Sequence, residues 1–245
     1  MLSKPLMKHT LKENIKFWAI ITGILSLMLI VLFSIASGSG DNNAMILGQF
    51  YTMFASLLPL IFIVTRSNRL MAAQVDNGSM AFLMSTPIKR KTVLTTYAIF
   101  IIGSVFAMYL VLTIVGLIVL LIAGSFIEIG AFFLLNLGSM LLNLAISGIA
   151  YFASCFFNTS RQSFAVGTGA PVAFLVIRML AEVTQFVDIE GLDMIKYLSL
   201  NSLFSISDIM AYSVNIIWQF FILIAITAIG YVIGMFFFKR KDLPL

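Results

Sequence analysis

The sequence predicts an all-α polytopic membrane protein, and three observations carry that prediction. Hydrophobic residues make up 61% of the 245 and charged residues only 10%, far below the roughly 25% charged residues of a soluble domain. The apolar residues gather into six runs free of Asp, Glu, Lys and Arg. All but the fifth reach the length of about 20 residues that a crossing helix needs. The basic residues then fall on alternate sides of those runs, as the positive-inside rule requires.

Taken in order, Met1–Phe17 spaces Leu2, Leu6 and Leu11 among Lys4, Lys8, Lys12 and Lys16. This pattern suits an N-terminal interfacial helix over 1–17 with its lysines towards anionic headgroups; a basic topogenic tail is the alternative. Spans follow near 18–37, 45–65, 93–124, 129–157, 163–181 and 214–238. The first is too long for the apolar core of a cleavable signal. The third run, Thr92–Ile127, almost holds two crossings, but no turn signal interrupts it, so it reads as one long helix.

Between spans two and three lies a cytoplasmic connection, 66–92. Asp76, Asn77 and Gly78 signal a turn or helix start, Ser79–Ser85 has the length for about two turns, and Thr86 with Pro87 stops them. Exposing Met80, Phe82, Leu83 and Met84 to water is costly, so the membrane or another protein is expected to cover them. Before span six, the segment 183–213 mixes Phe186, Ile189, Leu192, Ile195, Leu198 and Leu203 with acids at nearly helical spacing. It reads as an extracellular cap of interfacial or re-entrant helices, or as an amphipathic linker.

A cytoplasmic N-terminus puts Lys4, Lys8, Lys12, Lys16, Arg66, Arg69, Lys89, Arg90, Lys91, Arg161, Lys239, Arg240 and Lys241 inside, 13 of the 15 basic residues. Arg178 and Lys196 fall outside with seven of the ten acids. The expected location is therefore a bacterial cell membrane, multi-pass, with both termini cytoplasmic. The charge of +5 follows the inner membrane face instead of forming one patch, so lipid is an expected partner and nucleic acid is not.

One His and one Cys exclude an intrachain disulfide and disfavour a histidine-based metal site or triad. His9 reads as a solvated surface residue and Cys155 as a buried, inert thiol. No GxxxxGK[ST] loop occurs, so ATP cannot be split here by that route. Every carboxylate lies in a loop or at a helix end, which argues against an ion-coupled pump. No ring of charge announces a channel. No catalytic, cofactor-binding or metal-binding residues are expected.

Two polar features remain. Asn136, Ser139, Asn143 and Ser147 make a polar strip on span four that either glues helices together or offers a mildly polar surface to cargo. Arg178 is the one basic residue within an apolar helix, and Glu182, four residues on, shares its face. The two read as a structural pair at the outer boundary or as an outer gate beneath the cap.

The order of these parts, with the loop VDNGSMAFLMSTPIKRKTV and the ending FFFKRKDLPL, resembles bacterial ABC-2 type transporter permeases. The resemblance covers 1–245 as a single transmembrane domain; Asp76 stands where family members usually carry Glu. It implies two permease protomers, of one or two types, above two copies of a separate ABC ATPase subunit that holds ATP and Mg, with no cofactor in this chain. Asp76, Gly78, Met80, Phe82, Leu83 and Met84 would belong to the coupling helix that docks on the ATPase. Spans two, around Phe54 and Leu58, and five, around Val166 and Ala170, would face the partner protomer. Within the family, the chain looks most like permeases of staphylococcal exporters of phenol-soluble modulins, which implies small amphipathic or hydrophobic peptides as cargo. Lipid, antibiotic or bacteriocin export is the alternative, and a passive channel or structural membrane protein is the reading outside the family.

Overall fold

The computed structural model describes residues 3–38, 43–85, 88–123, 127–183 and 199–241. Among them no strand occurs, and the chain runs through ten α-helices. These are α1 (Lys4–Gly38), α2 (Asn43–Gln49), α3 (Ala55–Leu70), α4 (Ala72–Asp76), α5 (Ser79–Ser85), α6 (Arg90–Ala123), α7 (Ile129–Phe156), α8 (Ser160–Val183), α9 (Ile206–Met210) and α10 (Asn215–Arg240). A π-helical stretch, Phe50–Phe54, joins α2 to α3, and a short 3-10 helix, Leu200–Leu203, precedes α9. Among the described residues, six helical segments are long and apolar enough to cross a membrane: α1, the α2–α4 stretch, α6, α7, α8 and α10. Continuous helix is what hydrocarbon demands, because every backbone N–H and C=O then finds its partner within the segment.

Three boundaries differ from expectation. The 1–17 helix and span one form one unbroken 35-residue helix. No Gly or Pro lies between Leu6 and Thr22 to interrupt the ladder. Span two continues past Thr65 to Leu70, carrying Arg66 and Ser67 into the packed interior. The Arg66 guanidinium lies 4.3 Å over the Phe17 ring, a cation–π contact that offsets part of its burial. Span five begins at Ser160, ahead of its expected start.

Helix α7 is the hub, packing most extensively on α10 and then on α3, α8 and α6. Its buried face carries Gly138, Ser139, Ala145, Gly148, Ala150 and Ala153, small residues that let backbones approach closely. At Gly148 a Cβ would meet the Thr227 carbonyl at 3.1 Å, and at Gly230 it would meet the Gly148 carbonyl carbon at 2.6 Å. Cys155 is fully buried in the same packing, while His9 is exposed and lies 3.4 Å from Glu13.

Candidate functional site

The connection after span two folds as two short helices around a tight turn. Asp76 closes α4, and Gly78 takes φ 74°, a left-handed conformation that glycine adopts without a Cβ penalty. Asn77 Oδ1 then accepts from the Ser79 N–H (3.0 Å) and the Ser79 hydroxyl (2.7 Å), capping the start of α5. Asp76 and Gly78, expected within the coupling helix, therefore precede α5 and form no part of it. The Asp76 carboxylate accepts from the Ser160 N–H at 3.1 Å, and Asn68 Nδ2 donates to Ser160 Oγ at 2.8 Å. An acid at the N-terminus of the 24-residue α8 is favoured by the helix dipole and ties the loop to span five.

Helix α5 turns its residues in opposite directions. Met80 is buried and Leu83 packs half-buried against the core, whereas Phe82 is 80% exposed. The physical reason is the helical period: Met80 and Leu83 share a face and Phe82 falls on the other. Among the described side chains of the expected docking face, only Phe82 is turned outward. The Met84 side chain and Thr86–Pro87 lie outside the described residues.

Beyond the loop, an Arg90 guanidinium nitrogen donates to the Lys241 carbonyl (3.1 Å). Lys241 Nζ in turn donates to the carbonyls of Cys155, Phe156 and Phe157 at 3.2, 3.2 and 2.7 Å. A cation on the last carbonyls of α7 complements the negative end of that helix. Partial burial pushes the Lys241 ammonium below the ordinary lysine range. The terminal residues 242–245 lie outside the described residues.

The polar strip on α7 is internal: Asn136, Ser139, Asn143 and Ser147 are all buried. Its chemistry follows from Pro59, which lies inside α3 and has no N–H to give the Ala55 carbonyl four residues back. That carbonyl accepts instead from Tyr109 Oη (2.8 Å) and Asn143 Nδ2 (3.0 Å). Tyr109 also lies 2.7 Å from Ser139 Oγ and accepts from Asn143 Nδ2 at 2.8 Å. Asn136 Nδ2 donates to Tyr51 Oη at 3.0 Å, and Ser147 pairs with Tyr231 at 2.9 Å. The strip binds span four to spans two, three and six. It leaves Asn136 Oδ1 and Asn143 Oδ1 without a partner among the described residues.

Arg178 lies at a cavity of about 620 Å³ between span two, span five and the chain around 205–207. One guanidinium nitrogen donates to Thr52 Oγ1 at 3.2 Å and another approaches the Asn201 carbonyl at 3.5 Å. The wider turn of the π-helical stretch leaves Phe50 and Tyr51 buried while Thr52 and Met53 face this space. Leu57 and Val176 extend its apolar wall, and Ser205 and Ser207 add hydroxyls. Residues 199–204, part of the segment expected as a cap, pack on the bundle: Phe204 is buried, its ring 6.2 Å from that of Tyr51, and Ser199 Oγ donates to the Phe174 carbonyl at 2.7 Å. The Glu182 side chain and residues 184–198, which hold Phe186, Ile189, Leu192, Ile195 and Leu198, lie outside the described residues. The pairing of Arg178 with Glu182 falls there too.

No protein-family model matches the chain, and no curated protein matches it. Thr52, Tyr51, Tyr109, Tyr231 and Lys241 were not singled out for these roles from sequence. Pro59 in the middle of an apolar run was the available signal, because it announces a carbonyl that another helix must satisfy.

Proposed function

We propose that the chain is the permease subunit of an ATP-driven ABC-2 type exporter in a bacterial cell membrane. It pairs with a second permease protomer above two copies of a separate ATPase subunit, which holds ATP and Mg. The observation that carries this reading is Phe82, 80% exposed on a helix that turns Met80 and Leu83 inward. An aromatic side chain held in water on a tethered helix is the kind of anchor that a partner's pocket buries. Tethering also gives the contact a consequence. Asp76 links the loop to α8, and Arg90 links it through Lys241 to the end of α7. Force applied at Phe82 therefore reaches spans four, five and six.

The cavity between spans two and five supports the cargo class. Its wall is apolar at Met53, Leu57, Val176 and Met179 and polar at Thr52 and Arg178, which suits small amphipathic peptides such as phenol-soluble modulins. Lipids, antibiotics and bacteriocins are the competing cargoes. The same spans carry exposed Met53, Leu57, Ile61 and Val166, a face suited to the partner protomer.

The test is purification of the tagged chain from its native membrane. A phosphate-loop ATPase in about equal amount is the expected companion, and Phe82→Asp should remove it, since a charge left unpaired in a docking pocket costs on the order of a few kcal/mol. Insertion should be unchanged. Leu83→Asp is unsuited to the purpose because Leu83 packs against the core. An ATPase retained by the Phe82 variant would put the docking surface elsewhere, and a chain that purifies alone and conducts ions would favour a passive channel.

A further inference from the structure

A second cavity, of about 360 Å³, lies between the first half of α1 and the middle of α6, apart from the Arg178 cavity and the α4–α5 connection. The helical period divides that half of α1 into three faces. Leu6, Thr10 and Asn14 are buried against the bundle, with Asn14 also reaching the cavity wall. Met7, Leu11, Ile15 and Trp18 line the cavity opposite Phe100 and Gly103, with Leu11 and Ile15 nearly half exposed. Directly beyond them come Lys4, Lys8, Lys12 and Lys16, all exposed. Glu13 falls on the far side from the cavity, 3.4 Å from His9.

The cavity is a wedge. The Ser3 N–H donates to Thr96 Oγ1 at 3.2 Å and the Trp18 indole to the Ser104 carbonyl at 2.9 Å. Between these contacts α1 advances about 22 Å and α6 only about 12 Å, so this part of α1 runs inclined to α6 with the apolar space between them.

We infer that this wedge binds an anionic phospholipid, one acyl chain between α1 and α6 and the phosphate against Lys8 and Lys12. Charge complementarity selects that occupant. A zwitterionic lipid fills the apolar space equally well but gains little from a row of lysines, which attract an anionic headgroup. A soluble anion meets the lysines and leaves the apolar wall uncovered. The inference does not depend on the transport reading.

Trp18 reports on the site directly, because the chain has two tryptophans and the other, Trp218, is highly exposed on α10. The full chain carrying Trp218→Phe is reconstituted in phosphatidylcholine bilayers with equal mole fractions of brominated phosphatidylglycerol or brominated phosphatidylcholine. Quenching of Trp18 is expected to give a relative association constant at least about five-fold higher for the anionic lipid. Lys8→Gln with Lys12→Gln should bring that ratio close to one. Gly103→Leu should lower quenching by both lipids, since a Cβ there meets nothing within 4 Å and a longer side chain fills the wedge. Equal quenching by the two lipids in the Trp218→Phe chain overturns the inference whether or not the other variants fold. Displacement by inorganic phosphate at matched ionic strength overturns it in favour of a small-anion site, and displacement by a soluble amphipathic peptide overturns it in favour of a cargo site.

Discussion

Pro59 removes one donor from the middle of span two, and two side chains from other helices answer the loss. In water the freed Ala55 carbonyl would be solvated; in hydrocarbon it must be met by protein. Tyr109 Oη and Asn143 Nδ2 meet it at 2.8 and 3.0 Å, so one backbone defect holds spans two, three and four in register. Interhelical hydrogen bonds in membranes average about 0.6 kcal/mol and reach about 1.7, which places Tyr109→Phe at a loss of about 1–2 kcal/mol. In a Pro59→Ala background the restored N–H caps Ala55 from within the helix, and the Tyr109→Phe loss should shrink to less than about half. Unfolding in mixed detergent, run on both single variants and the double, measures that coupling. The same loss in both backgrounds would show that the hydroxyl acts through Ser139 or Asn143 and not through the carbonyl.

Among the elements, α7 and α10 pack most extensively, and their backbones come close at Gly148 and Gly230. A Cβ at Gly230 would lie 2.6 Å from the Gly148 carbonyl carbon and 2.7 Å from its oxygen, and backbone atoms cannot rotate away as a side chain can. Gly230→Ala should therefore push the helices apart at a cost of about 1–3 kcal/mol, the usual scale of overpacking. It should visibly lower the melting temperature of the detergent-solubilised protein. Gly169→Ala on α8, where a Cβ meets nothing within 4 Å, should leave that temperature unchanged or raise it. Comparable losses from both would remove α7–α10 packing as the special feature.

These elements also mark how far the sequence could be read. Six spans were legible because their signal is local: an apolar run, and charges at its ends. The turn at Asn77–Gly78 was legible for the same reason. The inward turn of Met80 was not, since a two-turn helix has a period but no intrinsic sign for which face meets the bundle. The partners of Arg178 and Asn143 were equally hidden, because Thr52 and Ala55 sit 126 and 88 residues away, and periodicity names a face without naming its neighbour. The continuity of α1 across Phe17 was not legible either, because the change in composition there marks no change in the backbone.

At the scale of the whole molecule, the contacts sort themselves by end. Ser3 bonds Thr96, Asp76 bonds Ser160, Arg90 bonds Lys241, and Lys241 bonds Phe157. The beginning of α1, the α4–α5 connection and the end of α10 therefore share one end of the bundle. Arg178 with Thr52 and Asn201 marks the other. An even number of crossings is the expectation from that arrangement, and the 13 basic residues counted on that side favour the cytoplasm for it. Single cysteines read with a membrane-impermeant thiol reagent test the assignment on intact cells. Cys155 is replaced first, although its burial already keeps it from the reagent. Cysteines at Glu128 and Asn215, both exposed, should label at once. Those at Asn77 and Lys239, also exposed, should label only after permeabilisation; Lys239 is preferred to Lys241, whose ammonium holds the end of α7. Complete reversal would invert the protein in the membrane while keeping the bundle. Labelling of Asn77 together with Glu128 in intact cells would break the six-span count itself, since the long α6 (Arg90–Ala123) could then no longer be the single crossing that separates them.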